Sequence, residues 1–586
     1  MLYLTAGGTD DREDEGYSLN RNYPAIPLLT LVSKNNADRS EKIAARPSYI
    51  RMTQIMKTYR LHIAVLFILL AVAVWLAANP VLSQSIDRTQ NPNIANAGIA
   101  KSLALEVGAG RGDLQTPDSS SFIIARDPFR AIRRGRQLFQ RKFLRAQGQG
   151  PLVGPDGGGD INTNLALGAG LVDSCAGCHG RPRGAAGFGG DVATRPDSRD
   201  APHLFGLGLK EMLADEITSD LRAIRAQVIG DAQSSHHLVS KPLVSKGISY
   251  GFISANSDGT VDTSQVKGVD PDLRVRPFFL HGGTISIREF VVGALQNEMG
   301  LQAVDPELLA AHNDGRFVTP SGMVLDGSLD QVEGPPTDNP AADPDGDGVV
   351  NEIPTSLVDH FEFYLLNYFK PATYQQTNET TKGRAIFQQI GCAQCHIPDL
   401  QINHDRRVAD LETVYDPVNG IFNNLFATAT PFFNETDDHT GFPTLKRPKL
   451  GSFLVKNIFT DFKRHDVGPN FYERNYDGTL RTQFLTTPLW GVGSTAPYGH
   501  DGRSINLGEV IFRHGGEAQA ARDAFASLSA NDQARVLTFL NSLVLFAPDD
   551  TASNLDPGNR HALNFPQFGH GSIKLTVLFN NPNDPE

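Results

Sequence analysis

All four cysteines of this 586-residue chain fall into two copies of one pattern, Cys175-Ala-Gly-Cys178-His179 and Cys392-Ala-Gln-Cys395-His396. No other feature of the sequence restricts the fold as much. Cys-x-x-Cys-His is the spacing for covalent attachment of c-type haem: both thiols add to the haem vinyl groups, and the adjacent histidine is held under the iron. Two rival readings use the same residues. A thioredoxin-like redox pair does not need the histidine. A zinc site needs four ligands converging on one point, and the two motifs lie far apart in the chain.

A chain of this length has room for two or three domains with real cores. Its 40% hydrophobic and 20% charged residues are ordinary for a globular protein, while 56 Gly and 36 Pro predict many long loops. The net charge of −12 gives no reason to expect nucleic acid and favours a basic or neutral partner. One stretch runs against that balance: Arg130, Arg133, Arg134, Arg136, Arg141, Lys142 and Arg145. It reads as the solvated face of a helix or as contacts to haem propionates, with a docking patch for an anionic partner as the alternative.

Leu61 to Ala78 is the long apolar run of the chain, preceded by Lys57 and Arg60 and followed by Val81-Leu82-Ser83. That is the layout of a secretory signal with a small-residue cleavage site, read from Met52 or Met56. Residues 1–51 then reflect a start codon placed too early, or a cytoplasmic extension. The run is also long enough to stay as an uncleaved anchor. Either way the body of the protein is expected in the periplasm, where c-type haem is attached.

Two half-repeats are visible. Gly135-Arg-Gln-Leu-Phe-Gln140 precedes the first motif, and Gly383-Arg-Ala-Ile-Phe-Gln388 precedes the second. Both read as the amphipathic helix that leads into a haem site, the first separated from its motif by a Gly-rich loop (GPLVGPDGGGD). After each motif, Phe278-Phe-Leu-His-Gly-Gly283 resembles Pro497-Tyr-Gly-His-Asp-Gly502, and each leads into a helix with its own capping-box signal, Ser286 with Glu289 and Asn506 with Glu509. The expected fold is mainly α: two tandem cytochrome c-like haem domains with long loop insertions. The expected division is a leader over 1–84, a linker over 85–127, an N-terminal haem domain over 128–340, a linker over 341–370, a C-terminal haem domain over 371–550 and a tail over 551–586.

The second linker contains Asp343-Pro-Asp345-Gly-Asp347-Gly-Val-Val-Asn-Glu352. Oxygen ligands at positions one, three and five with Gly at six match the start of a calcium loop. Position twelve is Pro354, so Glu352 would have to supply the later ligand. The rival reading is an acidic turn.

What occupies the sixth position of a haem iron separates electron carriers from catalysts. On the helix after the second motif, Leu507, Val510, Ile511 and His514 share one helical face, which makes His514 the candidate sixth ligand there. His500 is its rival. On the helix after the first motif, Ile287, Phe290 and Val291 occupy the matching places, and Ala294 stands where His514 would be. One turn on is Glu298, either a helix-end carboxylate in water or a proton-transfer group in an open pocket. Met299 or His281 would close that pocket by ligation, and His203 is a weaker candidate ligand that reads rather as structural.

These residues resemble the bacterial di-haem cytochrome c peroxidase and MauG superfamily, and within it the di-haem oxidoreductase, "putative peroxidase", family. The resemblance is carried by Arg199-Asp-Ala-Pro-His-Leu-Phe-Gly-Leu-Gly-Leu, by Pro277-Phe-Phe through Glu298-Met299-Gly300, and by Asp345-Gly-Asp-Gly-Val-Val-Asn-Glu-Ile. Gly391-Cys-Ala-Gln-Cys-His, Thr487-Pro-Leu-Trp-Gly-Val-Gly, His500-Asp-Gly-Arg and Phe512-Arg-His-Gly-Gly-Glu-Ala extend it over about residues 128–548. It implies an N-terminal haem that handles peroxide, with Glu298 acting in O–O cleavage, and a low-spin C-terminal haem, ligated by His396 and His514, that relays electrons to it. It also implies a small electron-donor protein of cytochrome or cupredoxin type and hydrogen peroxide as substrate. The chain departs from the family at two places: Leu280-His281-Gly282-Gly283 replaces Trp-Asp-Gly-Arg, and Phe290 aligns with the distal glutamine. Those departures leave room for an electron-transfer cytochrome without substrate, or for a MauG-like or oxygenase enzyme on a larger substrate. Trp490 is the remaining tryptophan of the body, and the sequence alone does not place it between the haems.

Overall fold

The structure, a computed structural model, describes residues 102–150, 172–179, 199–368, 371–373, 376–413, 427–431, 433–436, 445–448, 451–475 and 477–545. The leader with its apolar run, the Gly-rich loop and the tail lie outside the described residues. Among the described residues no helix is long and apolar enough to cross a membrane.

The fold is mainly helical, with short antiparallel strands. Each motif is preceded by a lead helix, Pro128–Gln140 and Asn378–Gln389 respectively. Asp127 accepts from the Arg130 amide and Pro128 opens the first; a reciprocal Thr377/Thr380 pair caps the second. Each lead helix lies against a second helix with almost no gap. A methyl group at Gly135 would meet the His360 carbonyl at 2.2 Å, and one at Gly383 would meet the Arg535 carbonyl at 2.0 Å. Glycine therefore sets the helix approach in both half-repeats.

The partner of the first lead helix, Thr355–Leu366, falls in the segment read as a linker. It is buried on every side, so it carries no amphipathic stripe for a sequence reading to find. The upstream segment also enters this core: Ser120–Arg126 is a helix with Phe122 and Ile123 fully buried.

The later half-repeat is also duplicated. Phe278 bridges Thr284 and Tyr498 bridges Ser504 in matching antiparallel turns. Helices Ile287–Met299 and Leu507–Arg513 follow, with Ser286 and Asn506 accepting from the amides of Glu289 and Glu509 as their capping signals predict. The 29-residue helix Leu207–Ser235 and the three-stranded sheet beginning at Val239 form a further core that includes Trp490.

The basic stretch is not a solvated face. Arg130, Arg133 and Arg134 are buried, and Asp118 pairs with both Arg130 and Arg134 at 2.7 Å. Arg141 reaches Glu106 at 3.1 Å. Arg130, Arg134 and Arg141 serve the joint between the lead helix and the segment before it, while the exposed Lys142 pairs with Asp173 at 3.1 Å. The solvated-face reading fails for the buried arginines because the acids that pair with Arg130, Arg134 and Arg141 lie upstream, in segments that meet the helix only in the fold.

Candidate active site

Each motif lines its own cavity, the first of 320 Å³ and the second of 420 Å³. Cys175–His179 is a single helical turn, and Cys392–Gln394 a 3₁₀ turn followed by Cys395 and His396. Burial pushes the Cys175 thiol up to about 12 and the Cys392 thiol to about 11. Both are therefore neutral thiols in apolar surroundings.

The histidines are set for ligation by their second nitrogens. A backbone carbonyl can only accept, so His179 Nδ1 donates to Pro202 at 2.8 Å and His396 Nδ1 donates to Phe459 at 3.1 Å. Each Nε2 is thereby left with its lone pair. Burial lowers the pKa of both, that of His396 to about 4, with His514 as the second cause. Neutral imidazole is the form that binds iron.

His514 lines the second cavity with Leu507, Val510 and Ile511, so the predicted stripe is present. The helix ends at Arg513, however, and His514 is its extended cap residue. Its Nδ1 donates to the Val510 carbonyl at 2.8 Å, which leaves Nε2 unprotonated. The rival His500 also lines this cavity, but its ring stacks on Phe484 at 4.2 Å and its Nε2 faces Glu473 at 3.8 Å.

The first cavity is different. Phe278, Phe279, Phe290 and Val291 make much of its wall, with Ala294, Glu298 and Met299 from one helix face. Glu298 is half-buried against the cavity rather than projecting into water. Met299 is buried, with its sulfur 4.0 Å from Cys175 Sγ. His281 does not line this cavity; its Nδ1 meets Arg199 Nη1 at 3.1 Å, and because arginine only donates, the proton of the neutral ring sits on Nε2. His203 lines both cavities.

The sequence reading missed three features. Lys210 lines the first cavity, its ammonium 5.5 Å from the Phe278 ring centre, and burial lowers it to about 8. Arg199 forms a two-pronged buried bond to Glu473 at 2.7 and 2.8 Å. Trp490 lines both cavities. Lys210 carries no local sequence signal, and although Arg199 and Trp490 stand in segments that carry the resemblance, their partners belong to chain segments that meet them only in the fold. Cys395, Asp461 and His465 also cluster, but His465 bonds Asp461 and Glu517 through its two nitrogens at 2.9 and 2.8 Å and has no lone pair left for a metal.

In the acidic loop, carboxylate oxygens of Asp343, Asp345 and Asp347 lie within 4.8 Å of one another. Glu352 stands behind them, 3% exposed, with Oε2 accepting from the Gln302 amide at 2.7 Å and Oε1 buried without a hydrogen-bond partner. Burial and then the three aspartates raise its carboxyl to about 8.

A family model described as "Di-haem oxidoreductase, putative peroxidase" matches residues 405–543. No curated protein matches the chain. Among solved structures, hydrazine synthase of Kuenenia stuttgartiensis, pressurized with xenon, is similar at 14% identity and a TM-score of 0.20. That match covers 33% of this chain and 56% of the other, so the chain spans little more than half of that relative. The stretch 405–543 holds Trp490, His500 and His514, which carried the resemblance read from the sequence, so over these residues the chain is similar to the di-haem oxidoreductase family.

Proposed function

We propose that this protein is a periplasmic di-haem c-type oxidoreductase that reduces hydrogen peroxide, with two tandem haem domains of unequal role. The observation that carries the proposal is the difference between the cavities: the second has the unprotonated nitrogen of His514 in the same cavity as His396, whereas the first has Ala294 at the matching position and Glu298 one turn on. Cys175, Cys178 and His179 would hold one haem, and Cys392, Cys395 and His396 the other. Haem held there would supply peroxide reduction in the first cavity and electron exchange in the second.

The chain's own residues do the rest. The phenylalanines of the first cavity exclude water, which strengthens each polar interaction inside it. Glu298 is placed to move a proton to or from a bound peroxide oxygen. Lys210, at about 8, is a second proton source in the same cavity. Electrons would come from a small cytochrome or cupredoxin.

Asp343, Asp345, Asp347 and the unpartnered oxygen of Glu352 would bind calcium. Glu352 also fixes the Gln302 amide, three residues after Met299, so the ion would stiffen the end of the helix that carries Glu298.

Haem count by alkaline pyridine spectrum, together with ferric EPR and carbon monoxide binding by the reduced protein, tests the proposal. Two haems are expected, one low-spin and one high-spin, with carbon monoxide bound at one of them. Two low-spin haems with no high-spin signal and no carbon monoxide binding would sink the open-site reading in favour of an electron-transfer cytochrome.

A further inference from the structure

The two cavities share a wall made of Asp200, Pro202, His203, Leu280, Leu485 to Pro488 and Trp490. The hydrogen bonds within and behind that wall form an unbroken sequence. His179 Nδ1 donates to the Pro202 carbonyl at 2.8 Å. The next residue is His203, whose Nδ1 accepts from the Phe205 amide at 3.2 Å. Its ring proton is therefore on Nε2, which donates to the Trp490 carbonyl at 3.1 Å. The preceding residue, Leu489, donates its amide to the Ile458 carbonyl at 3.0 Å. Ile458 is bonded to Phe459, whose carbonyl accepts from His396 Nδ1 at 3.1 Å.

The two motif histidines are thus joined, ring to ring, by covalent bonds and four hydrogen bonds. Both ends attach to the nitrogen opposite the one left for iron. The wall is rigid: Trp490 is 4% exposed, and the Thr460 hydroxyl holds the Thr486 carbonyl at 2.5 Å. His203 is the one link made by a side chain rather than by backbone, apart from the motif histidines themselves. It contributes no free nitrogen to either cavity, because both of its ring nitrogens are engaged.

We propose that this bridge, His179 to Pro202–His203 to Trp490–Leu489 to Ile458–Phe459 to His396, is the route by which the two sites exchange electrons, with His203 as its decisive link. Electronic coupling decays far less along covalent and hydrogen bonds than across van der Waals gaps. A contiguous bonded route between the two motif histidines therefore couples the sites without a van der Waals gap. One electron leaves the site of His396 and arrives at the site of His179, with no bond made or broken. The bridge rests on the two-haem reading above.

The test is flash photoreduction of the ferric holoprotein by a flavin, with optical detection of electron redistribution between the two haems. His203→Phe keeps an aromatic ring but cannot donate to Trp490, and is expected to slow the redistribution about tenfold. Both midpoint potentials should stay at their wild-type values, which a merely structural role for His203 would not explain. His203→Gln can still donate to that carbonyl and should restore the rate. If His203→Phe does not take up haem, His203→Asn, whose amide is too short to reach, replaces it. Redistribution at the wild-type rate in the donor-less variant overturns the bridge alone. Fewer than two haems per chain overturns the two-site reading and the bridge with it.

Discussion

The two cavities are built from one plan and differ where it matters. Each has a lead helix brought close by a glycine, a motif histidine whose Nδ1 is tied to a carbonyl, and a capped helix that supplies the opposite wall. In the second, that helix stops at Arg513, and the stop turns His514 into the cavity. In the first, the helix runs on to Met299, so the matching position is an interior helical alanine and the next turn delivers Glu298. Repeated helical scaffolds hold the two Cys-x-x-Cys-His motifs, while helix length decides which side chains face them.

The largest effect is expected where the first wall is anchored. Arg288, fully buried on that longer helix, pairs with Asp305, Asp359 and Glu362 at 2.6, 2.8 and 2.9 Å. Arg288→Ala takes the shared cation from three buried carboxylates, of which only Asp359 keeps another arginine, Arg111 at 3.2 Å, and should cost about 3–5 kcal/mol in denaturant unfolding. A much smaller loss would mean that the first wall does not depend on this network.

Glu298→Gln keeps the shape of the side chain and removes its titration. Peroxide turnover by the holoprotein should fall about a hundredfold, while the second site keeps its low-spin EPR signal. Undiminished turnover would return Glu298 to a helix-end role and remove one contrast between the pockets.

Calcium should matter more as pH rises. The Glu352 carboxyl is raised to about 8 from an ordinary 4.5, so its contribution to the ion-free fold is present below about 4.5 and is lost as pH rises through about 8. A bound cation needs the ionised form, so the stabilisation by calcium should be small at pH 5 and reach about 2.7 kcal/mol near pH 8 at a hundredfold excess over Kd. Thermal unfolding with calcium and with chelator at both pH values measures it. Equal shifts at the two pH values would remove Glu352 from the site.

His514→Ala makes the second wall resemble the first. The loss of its edge contact with Phe471, at 5.3 Å, should cost only about 1 kcal/mol. The spectrum should change far more, with the second haem turning high-spin and binding carbon monoxide. A variant that stays low-spin would point to His500 as the ligand.

The lead helices, both capped pocket helices and the loop Asp343–Asp347 were legible because each depends on neighbours within a few residues: a glycine, a capping side chain, a run of alternating carboxylates. The helix Thr355–Leu366 was not legible, because burial on every side erases periodicity. The arginines of the first lead helix were misread for a related reason. Asp118 and Glu106, which neutralise them, cannot be assigned as partners until the helices pack.

By itself the sequence determined that two Cys-x-x-Cys-His motifs exist, that the segments around them repeat, and that Ala294 and His514 occupy equivalent places. These are matters of residue identity and short-range spacing. Only the tertiary structure decided that each motif has its own cavity, that His281 is bonded to Arg199, and that His203 and Trp490 stand in the wall between the cavities. Those facts join segments from opposite halves of the chain, and hydrogen bonds of about 3 Å form only after the cores have brought the segments together.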